Sequence, residues 1–351
     1  MTENVTGTEN TAEMENTAEM ENAAEVGEKN RRGTVRAVCI SPARGTEKTA
    51  VPEGHFLVDY GIEGDAHAGN WHRQVSLLSY DKVAEFNRRG ADVGDGAFGE
   101  NLVVEGLDFR SMPVGTRLYS GTAVLEMTQI GKECHSHCEI YHRVGHCIMP
   151  ANGVFAEVRR GGHIRVGDEV RLVPNPDRRP TVAVVTLSDK GARGARTDES
   201  GPLAARMAEA AGYRPVETLL LPDEPERLER ELRRLADGRQ VALVLTTGGT
   251  GFSPRDRTPE ATMAVAERNA PGIAEAMRWH SLQITPRAML SRGVSVIRGK
   301  TLIVNLPGSP KAVREHLEFL LPNLAHGIQI LRGEAAECGH PTQPSEKEET
   351  T

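Results

Sequence analysis

The feature that most constrains this chain is a short apolar run that ends in a loop of small residues. Val241–Leu245 is continuous, aliphatic and short, which predicts a buried β-strand. The residues Thr246-Thr247-Gly248-Gly249-Thr250-Gly251 follow it. Because this loop has no bulky side chain, its backbone N–H groups can approach an anion closely, and its threonines add hydroxyl donors. The segment predicts either a phosphate-binding loop or a tight turn between a strand and a helix.

A carboxylate and a predicted helix follow the loop. Asp256 lies between Arg255 and Arg257, and Pro259 opens the helix. A strand, a glycine loop, a carboxylate and a helix in this order are compatible with a site for phosphate and magnesium. No lysine follows the glycines, so the segment does not have the G-x-x-x-x-G-K-S/T pattern of the P-loop.

The composition predicts a cytoplasmic protein of two domains. The chain has 351 residues, of which 38% are apolar, enough for two cores of ordinary size. No apolar stretch approaches the ~18 residues of a membrane helix, and the N-terminus lacks the basic and apolar regions of a secretory signal. The five cysteines are an odd number, which favours reduced thiols over a disulfide framework.

Most of the net charge lies at the start of the chain. The formal net charge is -7, whereas residues 1–28 hold eight Glu and no Asp, Lys or Arg, which leaves about +1 for the rest. A chain without a basic surface is not expected to bind nucleic acid. The unit Glu-Asn-Thr-Ala-Glu-Met repeats between Glu9 and Met20, and this acidic composition predicts a disordered tail over residues 1–32.

Residues 33–173 have the pattern of a β-rich domain. Short strand-like runs with frequent glycines fit a barrel or a sandwich, and Asp81–Arg89 predicts one short helix. The predicted strands are Val35–Ile40, Gln74–Leu78, Gly99–Val104 and Ala123–Ile130. A β-hairpin is predicted from Val154–Val158, the pair Gly161-Gly162 and His163–Val166.

A different pattern begins after a predicted linker, Pro174–Pro180, which holds three prolines and almost nothing apolar. Over residues 181–332 strands alternate with helices, which predicts a three-layer α/β/α domain with a mainly parallel sheet. The predicted strands are Val182–Leu187, Val216–Leu221, Val241–Leu245, Val294–Ile297 and Leu302–Asn305. The predicted helices are Gly201–Ala211, Pro225–Ala236, Pro259–Arg268, Ile273–Gln283 and a last helix that Ser309 caps and that ends near Leu331. Residues 333–351 form a polar tail.

The predicted strands of this domain all end in residues suited to a site. In open α/β sheets, ligands bind beyond the carboxyl ends of the strands. Ser188 and Asp189 follow the first strand, Asp223 follows the second, and glycine loops follow the third and the last. Two glycine loops at helix N-termini can hold two anionic groups, and Asp223 with Asp256 can hold magnesium between phosphates. Asp223 could instead cap the helix that begins at Pro225, and Lys311 is expected to be a solvated residue of the last helix.

These motifs resemble the molybdopterin adenylyltransferase family, which includes the G domain of gephyrin. The resemblance covers nearly all of residues 181–332. It is carried by Leu221-Pro222-Asp223-Glu224, by Thr246–Gly251 with Pro254-Arg255-Asp256 and Thr258–Thr262, by Leu290-Ser291-Arg292, by Ile297–Lys300, and by Asn305–Ala312.

The resemblance implies that the domain binds molybdopterin and Mg-ATP, forms adenylyl-molybdopterin and pyrophosphate, and assembles as a homotrimer. Asp223 and Asp256 match the family's catalytic, metal-binding carboxylates. The residues that match its ligand-binding loops are Thr247, Gly248, Gly249, Thr250, Gly251, Pro307, Gly308 and Ser309. A molybdenum insertase or a molybdoenzyme is the partner expected to receive the product.

The first domain holds a dense group of thiols and imidazoles, Cys134-His135-Ser136-His137-Cys138 followed by His142, His146 and Cys147. A zinc site is one interpretation, although the spacing C-x3-C-x8-C is not a usual structural zinc pattern. Cys39 lies in an apolar strand and is expected to be a buried core thiol.

The sequence around this group resembles the MOSC domain, named for the C-terminal region of molybdenum cofactor sulfurases. The matching pieces are Gly64–His67, His72–Ser76, Phe98–Leu102, Leu125–Gly131 leading into Cys134, and Gly153–Val158. The resemblance implies a barrel core and a cysteine that binds the molybdenum cofactor or carries sulfur. Cys134 matches this cysteine best, and Cys138 and Cys147 are the alternatives. His67 and His72 either line the same pocket or have surface or capping roles.

Together these patterns predict a two-domain enzyme of molybdenum cofactor biosynthesis. The alternative is a binding or scaffold protein that carries the cofactor without turnover, against which the two aspartates argue.

Overall fold

The computed structural model describes residues 31–133 and 139–334. These residues divide into two compact units. The first unit runs to Arg178 and includes Asp237–Gln240, and the second holds Arg179–Ala236 and the residues from Val241 onward. In the part of the chain that is described, no helix is long and apolar enough to cross a membrane.

The first unit consists mainly of short strands. They are β1 (Arg31–Ile40), β2 (Thr49–Val51), β3 (Glu53–Leu57), β4 (Gly61–Ile62), β5 (Val75–Ser79), β6 (Leu102–Glu105), β7 (Arg117–Ser120), β8 (Ala123–Ile130), β9 (Val154–Arg160), β10 (Gly162–Arg165) and β11 (Glu169–Val173). The helices are α1 (Tyr80–Arg88), α2 (Glu139–Val144) and α3 (Met149–Asn152), with a 3-10 turn at Phe109–Ser111.

Seven of these strands close into a barrel, which confirms the β-rich prediction. Their order is β11-β7-β8-β9-β5-β6-β1, and an antiparallel pairing of β1 with β11 completes the ring. The neighbours β5 and β6 are parallel, and the other neighbours are antiparallel. Fully buried side chains such as Val38, Leu77 and Met127 belong to one continuous core cluster. Closure of the ring removes the exposed edges that a sheet of this size would otherwise have.

The predicted hairpin at the end of this unit is wrong. Only Gly161 separates β9 from β10, and one residue is too short a connection to reverse the chain. The strand β9 instead pairs with β5 and β8 inside the barrel. The strand β10 pairs with β3 in a small separate sheet of the order β10-β3-β4.

The second unit alternates strands and helices. Its strands are β12 (Thr181–Leu187), β13 (Arg214–Leu221), β14 (Leu243–Thr247), β15 (Arg268–Asn269), β16 (Ser295–Arg298) and β17 (Thr301–Leu306). Its helices are α4 (Asp189–Ala192), α5 (Ser200–Ala210), α6 (Pro225–Arg233), α7 (Thr258–Ala264), α8 (Pro271–Leu282) and α9 (Pro310–Arg332). A π-helical turn, Arg234–Gly238, follows α6, and a 3-10 turn, Pro286–Leu290, follows α8.

These strands form one sheet of the order β13-β12-β14-β17-β16-β15. The first four strands are mutually parallel. At one edge β16 runs antiparallel to β17, and the last strand, β15, runs antiparallel to β16. Side chains of β12 enter two core clusters in alternation: Val182 and Val184 pack with α5, α8 and α9, whereas Ala183 and Val185 pack with α6 and α7. The strand is apolar from Val182 to Val185 because both of its faces are covered.

Two boundaries differ from the predicted ones in ways that affect the loops. The third strand is Leu243–Thr247 rather than Val241–Leu245, because the amide of Val241 bonds to Leu235 and the ladder continues through both threonines. The predicted helix Pro259–Arg268 ends at Ala264, and Arg268–Asn269 pairs with β16. The predicted cap at Ser309 is confirmed, because its side chain accepts a hydrogen bond from the amide of Ala312.

Candidate functional site

After β12 and β14, two neighbouring strands of the second unit, the chain continues into helices on opposite faces of the sheet. The helix α5, which follows β12 and the short α4, belongs to one core cluster, and α7, which follows β14, belongs to the other. The neighbouring strands β12 and β14 therefore lie beside a crevice at their carboxyl ends. Open α/β sheets bind ligands at such a crevice.

The two predicted glycine loops meet at this edge. A Cβ atom added to Gly308 would lie 3.2 Å from the Cα atom of Gly248, which shows how closely the two backbones pass. Gly248 has φ +99°, and a Cβ atom there would lie 2.4 Å from the carbonyl oxygen of Leu187. Only glycine combines this left-handed backbone with such close packing against β12.

The glycine loop after β14 presents its backbone to the crevice. Within the described residues, the amide N–H groups of Gly249, Thr250 and Gly251 donate to no acceptor. The same is true of Gly308 and Ser309 at the start of α9. Unpaired N–H groups at a helix start or in a small-residue loop are the donors that bind phosphate oxygens.

Two of the threonine hydroxyls expected to act as donors to an anion are used inside the fold. Thr247 Oγ1 donates to the carbonyl oxygen of Pro307 at 2.7 Å and so ties the two loops together. Thr246 Oγ1 accepts from Asn305 Nδ2 at 2.9 Å, and both residues are buried. Both hydroxyls are bonded within the fold because each lies in β14 rather than in the loop beyond it, and a contact of Thr247 with a ligand stays a prediction.

Asp223 is held by Asp189, at the ends of neighbouring strands. The amide of Asp189 donates to Asp223 Oδ2 at 2.9 Å, and the amide of Asp223 donates to Asp189 Oδ1 at 3.1 Å. Arg255 holds Asp189 in turn, with Nε and Nη2 donating to its two carboxylate oxygens at 3.1 and 2.8 Å. The sequence placed Asp189 at a strand exit but did not identify this pairing, since the two aspartates are 34 residues apart.

The other predicted carboxylate, Asp256, packs against the glycine loop. Its Oδ2 atom accepts from the amide of Ser253 at 3.0 Å. A Cβ atom on Gly251 would lie 2.8 Å from that oxygen, so a glycine is needed to leave the carboxylate its place.

The electrostatics of the crevice are dominated by carboxylates. Burial raises the pKa of Asp223, and the charges of Asp189 and Asp256 raise this pKa further. The hydrogen bond from Arg255 lowers the pKa of Asp189. Asp223 does not cap α6, because the residue before that helix is Glu224 and no side chain caps it. Lys311 is solvated as expected, with a side chain that is 82% exposed.

In the first unit, the histidines of the predicted pocket have different partners. His67 Nδ1 lies 3.6 Å from Asp65 Oδ1, and Asp65 is buried in an ion pair with Lys48. His72 Nε2 lies 3.0 Å from Gln129 Oε1. Cys39 is a fully buried core thiol, and burial raises its pKa to about 12.

The cysteine group itself can be followed only in part. Cys134 and Cys138 lie outside the described residues, as does the side chain of His142. Cys147 is half-buried. The choice between a cofactor-binding cysteine and a zinc site therefore stays a prediction.

The second unit is therefore an α/β domain with two glycine loops and a group of carboxylates at the carboxyl edge of its sheet. Comparisons with known proteins agree with this class. A family model described as a probable molybdopterin binding domain matches residues 183–326, and the MOSC domain model matches residues 64–171.

Relatives of known name match the second unit. The molybdopterin adenylyltransferase of Haemophilus influenzae is 48% identical over 139 residues, which are 39% of this chain and 71% of that protein. The molybdopterin adenylyltransferase of Helicobacter pylori is 39% identical over 154 residues, which are 43% of this chain and 88% of that protein. The crystal structure of the molybdopterin biosynthesis enzyme MoaB from Thermus thermophilus is 50% identical and covers 44% of this chain and 96% of its own, with a TM-score of 0.42.

Through its second unit, the chain belongs to the molybdopterin adenylyltransferase family. Its first unit carries a MOSC domain. The chain is thus a fusion of the two, as the motifs of both halves predicted.

Proposed function

We propose that the second unit transfers AMP from ATP to molybdopterin, which yields adenylyl-molybdopterin and pyrophosphate. One observation carries the proposal: two glycine loops with unpaired N–H groups meet beside Asp223 and Asp256 at the carboxyl edge of the sheet. The named relatives, molybdopterin adenylyltransferases up to 48% identical, support the same reaction.

The reaction joins two anions. An oxygen of the terminal phosphate of molybdopterin attacks the α-phosphorus of ATP, the bond from that phosphorus to the oxygen bridging to the β-phosphate breaks, and pyrophosphate leaves. The N–H groups of Gly249, Thr250 and Gly251 and those at the start of α9 would offset the negative charge and fix the reactants in line. The chain needs no side-chain nucleophile for this reaction.

Asp223 and Asp256 fit the role of magnesium ligands. Carboxylate oxygens are the ligands that Mg²⁺ prefers. Asp223 is half-buried, and its pKa is raised by that burial and by two neighbouring carboxylates, so a bound cation would relieve unfavourable charge there. Mg²⁺ that arrives with ATP would supply charge compensation for the phosphates.

We infer the finer architecture from the same data. Helices in both core clusters of the sheet support a three-layer α/β/α domain over residues 181–332, after a linker at 174–180 and a MOSC domain at 33–173. A homotrimer through the second unit and a cytoplasmic location are further parts of this proposal, and size measurements in solution would test the trimer.

The proposal for the first unit is that it binds the molybdenum cofactor or carries sulfur on Cys134. The MOSC match over residues 64–171 supports it. A molybdenum insertase or a molybdoenzyme would then receive the product.

The function is tested by replacing Asp256 with asparagine. We expect Asp256→Asn to fold normally and to lose turnover by about a hundredfold or more, because the change removes charge that stabilises the reacting phosphates. The measurement is the formation of labelled adenylyl-molybdopterin from Mg-ATP and molybdopterin.

The matched control is Glu209→Gln, which removes one negative charge from an exposed position on α5 and should leave the rate unchanged. Wild-type activity in Asp256→Asn would contradict the assigned role. A wild-type chain that binds molybdopterin and ATP without turnover would instead support a scaffold.

A further inference from the structure

One arginine outside the predicted site contacts the glycine loop at several points. Arg292 follows the 3-10 turn Pro286–Leu290, about forty residues after the loop. Its Nε atom donates to the carbonyl oxygen of Gly251 at 2.8 Å, and its Nη2 atom donates to the carbonyl oxygen of Asp256. Its backbone amide donates to the carbonyl oxygen of Thr250 at 3.0 Å. The guanidinium group therefore joins the two ends of the segment Gly251–Asp256.

The same guanidinium also reaches the helix that follows. Arg292 Nη1 donates to Glu260 Oε1 at 2.5 Å, and Glu260 lies in the first turn of α7. This hydrogen bond lowers the pKa of Glu260, so the carboxylate that accepts it is charged at neutral pH. One side chain thus fixes the glycine loop, the backbone of Asp256 and the start of α7 relative to one another.

Only arginine can make this set of contacts. The guanidinium group has five N–H donors in a rigid plane, whereas the ammonium group of lysine is a single point on a flexible stem. The other bonds of the segment Gly251–Asp256 are those from Arg255 to Asp189 and those between Ser253 and Asp256, which do not join its two ends. Two carbonyl oxygens at its ends would exchange this charged donor for water if Arg292 were shortened.

We propose that Arg292 is a positioning residue of the nucleotidyl-transfer site. Its side chain holds Gly251–Asp256 so that Asp256 and the loop N–H groups face one bound triphosphate. This inference rests on the proposed function. Arg292 itself acts through the backbone and is not placed in contact with the substrate.

The kinetic test compares Arg292→Lys with Arg287→Lys in the full chain. Arg287 lies in the neighbouring 3-10 turn and is exposed, so its replacement is the matched control. We expect Arg292→Lys to lower kcat by about tenfold to a hundredfold, as misplacement of a positioned group by about 1 Å does. The Mg²⁺ concentration for half-maximal rate should rise, since Asp256 would meet the metal less often in the correct geometry. Arg287→Lys should change neither quantity.

A second measurement does not depend on activity. Within residues 250–257, the amides of Ser253 and Asp256 are hydrogen-bonded inside the segment, and their hydrogen exchange in the free protein should be at least about tenfold faster in Arg292→Lys than in the wild type. Exchange in β12 and β14 should stay unchanged, which separates a loosened loop from a loosened domain. If Arg292→Lys does not fold, Glu260→Gln provides a milder test. It removes the charged partner that orients the guanidinium, so the bonds to the two carbonyl oxygens should weaken and exchange over residues 250–257 should still be faster than in the wild type.

The outcomes separate this inference from the proposed function. A wild-type chain without adenylyl transfer overturns the function, whereas faster exchange over residues 250–257 alone still shows that Arg292 holds the loop. Arg292→Lys that matches Arg287→Lys in exchange and in Mg²⁺ dependence overturns the inference. A loss of kcat with unchanged exchange also overturns it, because Arg292 would then act on the substrate directly.

Discussion

At the scale of single residues, the chain concentrates negative charge where it is expected to bind anions. Asp189, Asp223 and Asp256 surround the same strand exits, and Arg255 is bonded to Asp189. Close carboxylates oppose one another's ionisation, which is unfavourable in an empty site. A site of this kind gains most when a divalent cation accompanies the substrate, because the cation pairs with both the aspartates and the phosphates.

A histidine away from this site should make stability depend on pH. His316 is buried on α9, where its Nδ1 atom donates to the carbonyl oxygen of Ala312 at 2.7 Å and its Nε2 atom accepts from Ser281 Oγ at 3.0 Å. Burial lowers the pKa of His316, and the charge of His280 lowers it further. The unfolded chain, with a histidine pKa of about 6.5, therefore binds a proton that the folded chain does not.

The stability that depends on neutral His316 is thus fully present above about pH 6.5. As the pH falls below this value, the free energy of unfolding decreases by at most about 1.4 kcal/mol per pH unit for one proton. We expect His316→Gln to flatten the pH dependence of the free energy of unfolding between pH 7 and pH 5, measured by urea unfolding. The control is His326→Gln at an exposed position of the same helix. Equal slopes in both variants would show that another group is responsible.

At the scale of elements, connection length decides which strands pair. The run from β9 to β10 has glycines typical of a turn, yet a single residue between the strands sends β10 to a different sheet. The segment between β11, which ends at Val173, and β12, which begins at Thr181, is a longer connection and joins the two units. It is irregular over its whole length, and Pro176 and Arg178 are exposed.

Trypsin should therefore cut this linker early. The bond between Arg178 and Arg179 lies in exposed, irregular backbone, which is where proteases act on folded proteins. We expect brief digestion to give two fragments that resist further cleavage, identified by mass spectrometry. Arg178→Ala removes this site, since the next bond precedes Pro180, and should leave the two units joined under the same conditions. Earlier cleavage inside Val182–Leu245 would contradict the proposed boundary.

At the scale of the whole molecule, the chain joins two units with separate cores and separate chemistry. The barrel has its own core cluster, and the sheet of the second unit has two others. Units with independent cores can each fold and act alone. A defect in the proposed cysteine chemistry of the first unit should therefore leave nucleotidyl transfer in the second unit intact.

We expect Cys134→Ser to keep the wild-type rate of adenylyl transfer and to lose molybdenum cofactor binding, together with one rapidly alkylated thiol, because such a cysteine acts as a thiolate. Alkylation kinetics, metal analysis and cofactor binding provide the measurements, with Cys39→Ser outside the proposed pocket as a control for general effects. One tightly held zinc per chain, with Cys134, Cys138 and Cys147 protected until chelation, would identify a structural zinc site instead.

The sequence by itself determined the features that depend on local pattern. Apolar runs, glycine loops and proline positions located most strands, the Ser309 cap and the α/β character of the second unit, because burial and backbone conformation act on neighbouring residues. Tertiary structure alone decided the features that join distant residues. It closed the barrel through β1 and β11, turned the threonines of β14 inward, and brought Arg292 to the glycine loop. Such contacts depend on which strands become neighbours, and no local pattern of residues encodes that choice.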